Sequence, residues 1–318
     1  MVSFIVIGKN EGQRLTQCLT SIHTVIIEDK IPYYEIIYVD SKSTDDSLER
    51  ATQFDDVRVL KITGVCNAAI GRNIGAKESK GDILFFIDGD MQILPGFLST
   101  VINENNKLVY PFMSGIFEDY VYDENWNFLE MQRRYKLTEG MPDSYEITTG
   151  GLFMIEKKMW EQIEGMDTRL NQCEDMDLGL RLAKRGCPLL RKPIVLANHH
   201  TISYFNITRK KYYTSSAIFS ALLSRKHFFN GIYTKLFIRT QYTAISLLLS
   251  TIIVLLYSPF FILIFVIPLL FRASMISKKS DLNVFEAAWA LLYRDCYFLW
   301  AFFVMYPIKH RTEYQNIS

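Results

Sequence analysis

Gly81-Asp82-Ile83-Leu84-Phe85-Phe86-Ile87-Asp88-Gly89-Asp90 is the stretch on which the fold turns. Its apolar run has no polar alternation, which suits a strand buried on both faces of a sheet. The run stops abruptly in two carboxylates separated by one small residue. Upstream, apolar runs at 2–7, 35–39 and 57–61 repeat the strand signal, and stretches of helical spacing at 11–23, 43–52 and 67–77 separate them. Strands alternating with helices of this length make right-handed βαβ units and a parallel sheet covered on both faces. Ser43-Thr44-Asp45-Asp46 offers helix caps, and Gly71, Gly75 and Gly81 mark turns. The expected fold class is therefore α/β: a Rossmann-like, mostly parallel sheet flanked by helices.

From 109 to 136 the pattern changes to short, aromatic, turn-broken segments of antiparallel character. A strand at 152–155, an amphipathic stretch at 157–163 and a helix at 174–185, with Leu178, Leu182 and Ala183 on one face, complete a first domain over 1–205.

An Asp-x-Asp triplet alone arises about once by chance in a chain of this size. Its place at a strand end gives Asp88 and Asp90 meaning, because open parallel sheets bind ligands beyond the carboxyl ends of their strands. Two such carboxylates can share Mg²⁺ or Mn²⁺, hard cations that take phosphate oxygens as their other ligands. A solvated turn or helix cap is the plain alternative. Asp40 ends the second run and Asn10-Glu11 follow the first, so three strand ends form a polar rim. Arg72 and Asn73 open a helix after Gly71, where charge and helix dipole together favour phosphate; a turn residue and a surface charge are the bland readings of Asp40 and Arg72. Neither Gly-x-Gly-x-x-Gly nor a P-loop is present, which disfavours those nucleotide sites.

The C-terminal third differs in kind. Residues 206–239 include a basic, aromatic amphipathic stretch (209–229) suited to a membrane interface, and no charged residue lies between Arg239 and Arg272. The whole of 240–318 is expected to be membrane-associated. Basic residues flank 240–271 on both sides, and Pro259 and Pro268 interrupt it, which favours a hairpin bent near Ser258-Pro259 over one span. Glu286, Arg294 and Asp295 make a second span at 284–307 costly and favour an interfacial helix there. The formal net charge of +1 gives no field for nucleic acid, five dispersed cysteines fit a reducing compartment, and the N-terminal run is too short for a secretory signal. The first domain is therefore expected in the cytoplasm, at a membrane.

The ordered motifs resemble glycosyltransferase family 2, nucleotide-sugar transferases of the GT-A fold, over roughly 2–200. The resemblance runs through Asn10-Glu11, Ile37-Tyr38-Val39-Asp40-Ser41-Lys42-Ser43-Thr44-Asp45, Gly71-Arg72-Asn73-Ile74-Gly75, the stretch ending in Asp88-Gly89-Asp90, Thr149-Gly150-Gly151 and Cys173-Glu174-Asp175-Met176-Asp177-Leu178. It implies that Asp40 contacts the base of a nucleotide-diphospho-sugar, that Asp88 and Asp90 serve ribose and metal, and that Asp175 is the catalytic base. A carboxylate suits that task independently, since a sugar hydroxyl needs its proton removed as it attacks. Helix capping by Asp175 or Asp177 is the competing reading, and Glu174 is the second candidate base. Gly150 and Gly151 would let backbone approach the acceptor or simply allow a tight turn, and His199 or His200 could reach the metal. No Gln-x-x-Arg-Trp follows Asp175, so transfer of one sugar or a few is expected instead of polymer extrusion; Gln132-Arg133-Arg134-Tyr135 precedes it and is set aside.

The function expected is inverting, metal-dependent transfer to a hydroxyl of a lipid-linked saccharide, with membrane lipids as partners. A polyprenyl-phosphate sugar synthase is the second reading, and a non-catalytic scaffold of the same fold the third.

Overall fold

The computed structural model describes residues 1–202, 209–278 and 282–318, with only the backbone described for 209–215. The boundary expected at 205/206, and Lys279, lie outside the described residues. The chain divides into two units, Met1–Ser203 with Lys309–Ser318, and Tyr204–Ile308.

The first unit opens with β1 (Val2–Gly8), α1 (Gln13–Glu28), β2 (Tyr34–Asp40), α2 (Ser47–Ala51), β3 (Val57–Ile62), α3 (Ala68–Glu78) and β4 (Ile83–Asp88). These strands are parallel in the order β3-β2-β1-β4. Phe4, Ile5, Phe85 and Phe86 are fully buried, as two-sided cover demands. Each such side chain is worth about 1.5–3 kcal/mol on leaving water. The register sets Gly8 opposite Asp40 and Ile7 opposite Asp88, so the acidic strand ends stand side by side.

After the fourth strand come β5 (Met91–Ile93), α4 (Leu98–Val101), β6 (Phe112–Tyr122), β7 (Phe128–Arg133), β8 (Ser144–Glu146), β9 (Phe153–Glu156), α5 (Lys157–Gln162), α6 (Glu174–Lys184) and β10 (Leu189–Ile202). β9 pairs antiparallel with β4 and β6 antiparallel with β9, while β10 runs parallel to β6. The expected antiparallel region is thus a mixed one, and β6 is a single long strand that pairs with β9, β7 and β10.

The second unit holds α7 (Arg209–Lys226), α8 (Gly231–Leu256), a 3₁₀ turn (Pro259–Ile262), α9 (Leu263–Ser277) and α10 (Val284–Val304). The long uncharged run folds as two helices turned at Ser258-Pro259, where the proline occupies the first helical position and loses no bond. Arg272 on α9 reaches Thr240 on α8, so the pair forms a hairpin. Pro268 does not break the chain: it lies within α9. Among the described residues, Gly231–Leu256 and Pro259–Ser277 are long and apolar enough to cross a membrane. α10 begins with a reciprocal cap between Asn283 and Glu286, which accounts for that glutamate.

The last residues depart from the membrane-associated reading of 240–318. Residues 309–318 belong to the first unit, and β11 (Tyr314–Asn316) pairs antiparallel with β3 at the sheet edge. Tyr314 donates to Glu78 at 2.6 Å and its ring lies under Lys77. An open strand edge is a pairing hazard, and this segment covers it.

Candidate active site

The strand ends set the frame. Asp40 is fully buried; Tyr38 donates to its Oδ1 at 3.1 Å and Ser43 N to its Oδ2 at 3.0 Å, leaving lone pairs free on both oxygens. Asn10 braces the loops instead of projecting freely, accepting from Thr44 N at 2.8 Å. Glu11 tucks beneath the Asp88-Gly89-Asp90 turn, its Cγ within 3.2 Å of where a Gly89 side chain would start. Burial, then the charge of Asp90, pushes the Glu11 carboxyl up to about 7, although Arg14 lies 2.7 Å away.

Arg72 is buried between carboxylates. Its Nη2 lies 2.6 Å from Asp88 Oδ1 and its Nη1 3.3 Å from Glu174 Oε1. The expected phosphate-facing arginine is thus a bridge between the Asp-x-Asp turn and the start of α6. Burial raises both carboxyls above their ordinary range, and Arg72 opposes the rise. Asn73 is not brought to this site. Its amide clamps Met166, donating to the carbonyl at 2.8 Å and accepting from the N–H at 2.9 Å. Neighbouring helix positions diverge by about 100°, so Arg72 and Asn73 serve different surroundings.

Gly150 and Gly151 link the carboxylates. Both hold positive φ, 68° and 89°, which favours glycine. A Cβ on Gly151 would collide with Asp88 Oδ2, and one on Gly150 with Tyr135 and Phe117. Gly150 N donates to Asp175 Oδ2 at 3.2 Å, and Met176 N to Asp175 Oδ1 at 2.7 Å. The Asp175 carboxylate therefore sits in the first turn of α6. Cys173 takes the cap position and offers no side-chain bond, so neither Asp175 nor Asp177 is the helix cap. Among the described residues Asp175 has no ion pair, whereas Glu174 is committed to Arg72. Asp177 is fully buried and pairs with Arg181, which anchors α6 to the 163–165 loop.

The two histidines part company. Successive residues of β10 face opposite ways. His199 Nε2 lies 3.3 Å from Asp90 Oδ2, while its Nδ1 is 2.7 Å from Asp119 Oδ1. Burial works against its proton, but hydrogen bonds to Asp119 and Asp90 prevail and hold the imidazole at about 9. Arg134 backs Asp119 with bonds of 3.0 and 2.9 Å. His200 stacks on Tyr120 and Tyr122 and bonds the Tyr122 hydroxyl at 2.9 Å, in a cleft of about 530 Å³ beside Trp126. It is not part of the Asp90 cluster. Asp119 and Arg134 were not singled out by the sequence; Arg134 stood in the string set aside, and no local signal marks either residue.

Among the described residues no three His, Cys, Asp or Glu side chains close a metal cage. Asp90 and Asp88, with His199 once its proton is displaced, fit a hard or borderline cation that draws its other ligands from a diphosphate.

The fold matches known proteins. A structure of GalNAc-T7 with UDP, GalNAc and Mn²⁺ superimposes with a TM-score of 0.52 at 16% identity, over 70% of this chain and 50% of that one. A Drosophila melanogaster polypeptide N-acetylgalactosaminyltransferase 8 is 25% identical over 52% of this chain and 32% of its own. The O-antigen biosynthesis protein RfbC of Myxococcus xanthus is 23% identical over 63% of this chain, which covers 17% of that longer protein. An uncharacterised glycosyltransferase of Haemophilus influenzae is 25% identical over 63% of this chain and 69% of its own. The glycosyl transferase family 2 sequence model matches residues 3–163, half of the chain, from β1 through α5 and including the Asp-Gly-Asp turn and the paired glycines. By that match the chain belongs to glycosyltransferase family 2.

Proposed function

We propose that the chain is an inverting, divalent-metal-dependent hexosyltransferase that moves a sugar from a nucleotide-diphospho-sugar to a hydroxyl of a membrane-bound, lipid-linked saccharide. One observation carries the reading: the Gly150-Gly151 turn packs against Asp88 and bonds Asp175, so donor carboxylate and base share one backbone corner. Asp40 would hold the base or ribose through its remaining lone pairs. Asp90 and His199, with Asp88, would hold Mn²⁺ or Mg²⁺, which when bound neutralises charge on the departing diphosphate. Asp175, steered by Gly150 N and Met176 N, takes the acceptor proton as the hydroxyl attacks from the face opposite the leaving group. One base then suffices, and the anomeric centre inverts. The GalNAc-T7 structure makes a UDP-sugar with Mn²⁺ the first donor pair to test.

The apolar hairpin of α8 and α9 supports a membrane-bound acceptor, and the name of the Myxococcus relative supports surface-polysaccharide assembly. In this reading the catalytic unit faces the cytoplasm, where nucleotide sugars are made, and the basic helix α7 with α10 lies at the interface. The test is Asp175→Asn in the full chain. Transfer should fall at least a thousandfold while donor binding, followed by calorimetry, stays within threefold. Retained turnover, or a product whose anomeric NMR signal matches the donor's configuration, rejects the mechanism.

A further inference from the structure

The helical unit carries a charge cluster that sugar transfer does not use. From α9, Arg272 Nη1 donates to Thr240 O at 2.8 Å and to Thr243 Oγ1 at 3.1 Å on α8. From α10, Arg294 Nη2 donates to the same Thr243 hydroxyl at 3.2 Å and to Asp295 Oδ1 at 2.5 Å. Two guanidiniums from different helices thus converge on one fully buried threonine. With its oxygen accepting from both, Thr243 holds the two guanidiniums together.

The charges do not balance. Asp295 is fully buried and pairs with Arg294, but its Oδ2 has no hydrogen-bond partner and, among the described residues, no ion pair joins it to Arg272. Among the described residues Arg272 has no ion pair; besides Thr240 and Thr243 it has the Tyr242 ring at 5.2 Å. Two cations against one anion leave one positive charge among apolar helices, a costly arrangement unless an anion completes it. Arg272 stands five residues before the end of α9 at Ser277, about 8 Å along the axis. That is headgroup depth if α9 is inserted, and Lys235, Arg239 and Lys278 are exposed on the same two helices or at their end. Guanidinium forks match phosphate oxygens better than any other common lipid group.

We propose that Arg272 and Arg294, held together by Thr243, form a site for a lipid-borne phosphate at the membrane boundary. Its source is either an anionic phospholipid or the diphosphate of the lipid-linked acceptor. The proposal rests on reading α8 and α9 as membrane-inserted, and it is independent of the catalytic roles of Asp88 and Asp175.

Thermal unfolding of the full chain in neutral detergent tests it, with phosphatidylglycerol, a polyprenyl diphosphate or diacylglycerol added. Either phosphate-bearing lipid should raise the midpoint saturably, and diacylglycerol, which lacks the phosphate, should not. A polyprenyl diphosphate acting at tenfold lower concentration identifies the acceptor, and equal action identifies bulk lipid; both support the site. Arg272→Gln with Arg294→Gln should raise the half-saturating concentration at least tenfold, whereas Lys235→Gln should not. Stabilisation of each variant by UDP-sugar and Mn²⁺ reports folding of the catalytic unit and tests the donor reading separately. Equal response of the wild-type chain to all three lipids overturns the proposal, without recourse to any variant. So does an unchanged half-saturation in a double variant that still binds donor.

Discussion

Arg72 and Asp88 form a buried ion pair, Nη2 to Oδ1 at 2.6 Å, and the other nitrogen of the same guanidinium holds Glu174 at 3.3 Å. The pair joins the end of the fourth strand to the start of the helix that carries Asp175. An arginine fork can serve two carboxylates at once, and a lysine cannot reproduce that geometry. Removing the cation leaves two like charges facing each other in a poorly hydrated place. Arg72→Ala should therefore cost about 3–5 kcal/mol of stability by urea unfolding. Arg72→Lys should recover part of the stability but little activity. A loss below 1 kcal/mol for the alanine variant would show that the bridge is incidental.

Gly151 is predicted to tolerate no side chain. Its φ of 89° strains any other residue, and a Cβ would meet the Asp88 carboxylate. Gly151→Ala should cost about 1–3 kcal/mol in backbone strain alone. It should also weaken UDP-sugar binding in the presence of Mn²⁺ at least tenfold, because Asp88 must move. Calorimetry that returns wild-type affinity contradicts the placement of this turn.

Asp119→Asn tests the support behind His199. The aspartate fixes the ring through Nδ1, and Arg134 fixes the aspartate. Partners that orient a metal-binding histidine in this way change metal affinity by about 10–100-fold when altered. The Mn²⁺ concentration needed for half-maximal donor binding should rise by that factor. His200→Ala should leave it unchanged, since His200 faces Tyr120 and Tyr122.

What the sequence revealed of this site follows from how local each signal is. Asp40, Asp88 and Asp90 stand at the ends of apolar runs, so their positions were readable without knowing the sheet order. Gly150 and Gly151 were readable as a turn, but their contact with Asp88 depends on β9 pairing with β4, which no local pattern states. His199 and His200 differ by one step of strand alternation. Choosing between them needs the face of β10, and that is set by its pairing with β6. Asn73 misled for the analogous reason on a helix. Asp119 and Arg134 meet only because β7 folds back on β6, a register that composition does not encode. The C-terminal strand was hidden by its neighbours: its few polar residues follow a long apolar region, and their partner strand lies at the far end of the chain.

That strand supports the last prediction. Thr63 N donates to Glu313 O at 2.9 Å and Ile317 N to Val59 O at 2.9 Å, while Tyr314 holds Glu78 at 2.6 Å. Nearby, Thr168 Oγ1 donates to His310 O at 3.1 Å, and Asn67, which caps α3, holds the Thr168 carbonyl at 3.0 Å. The segment therefore closes the β3 edge and braces the loop that leads to Cys173 and α6. A chain shortened after Thr312 should lose about 1 kcal/mol for each backbone bond forfeited. It should also expose a pairing edge and aggregate more readily on warming. Amide exchange should quicken in β3 and spare β4, which has neighbours on both sides. Unchanged protection of residues 57–62 in the shortened chain would show that the edge needs no cover.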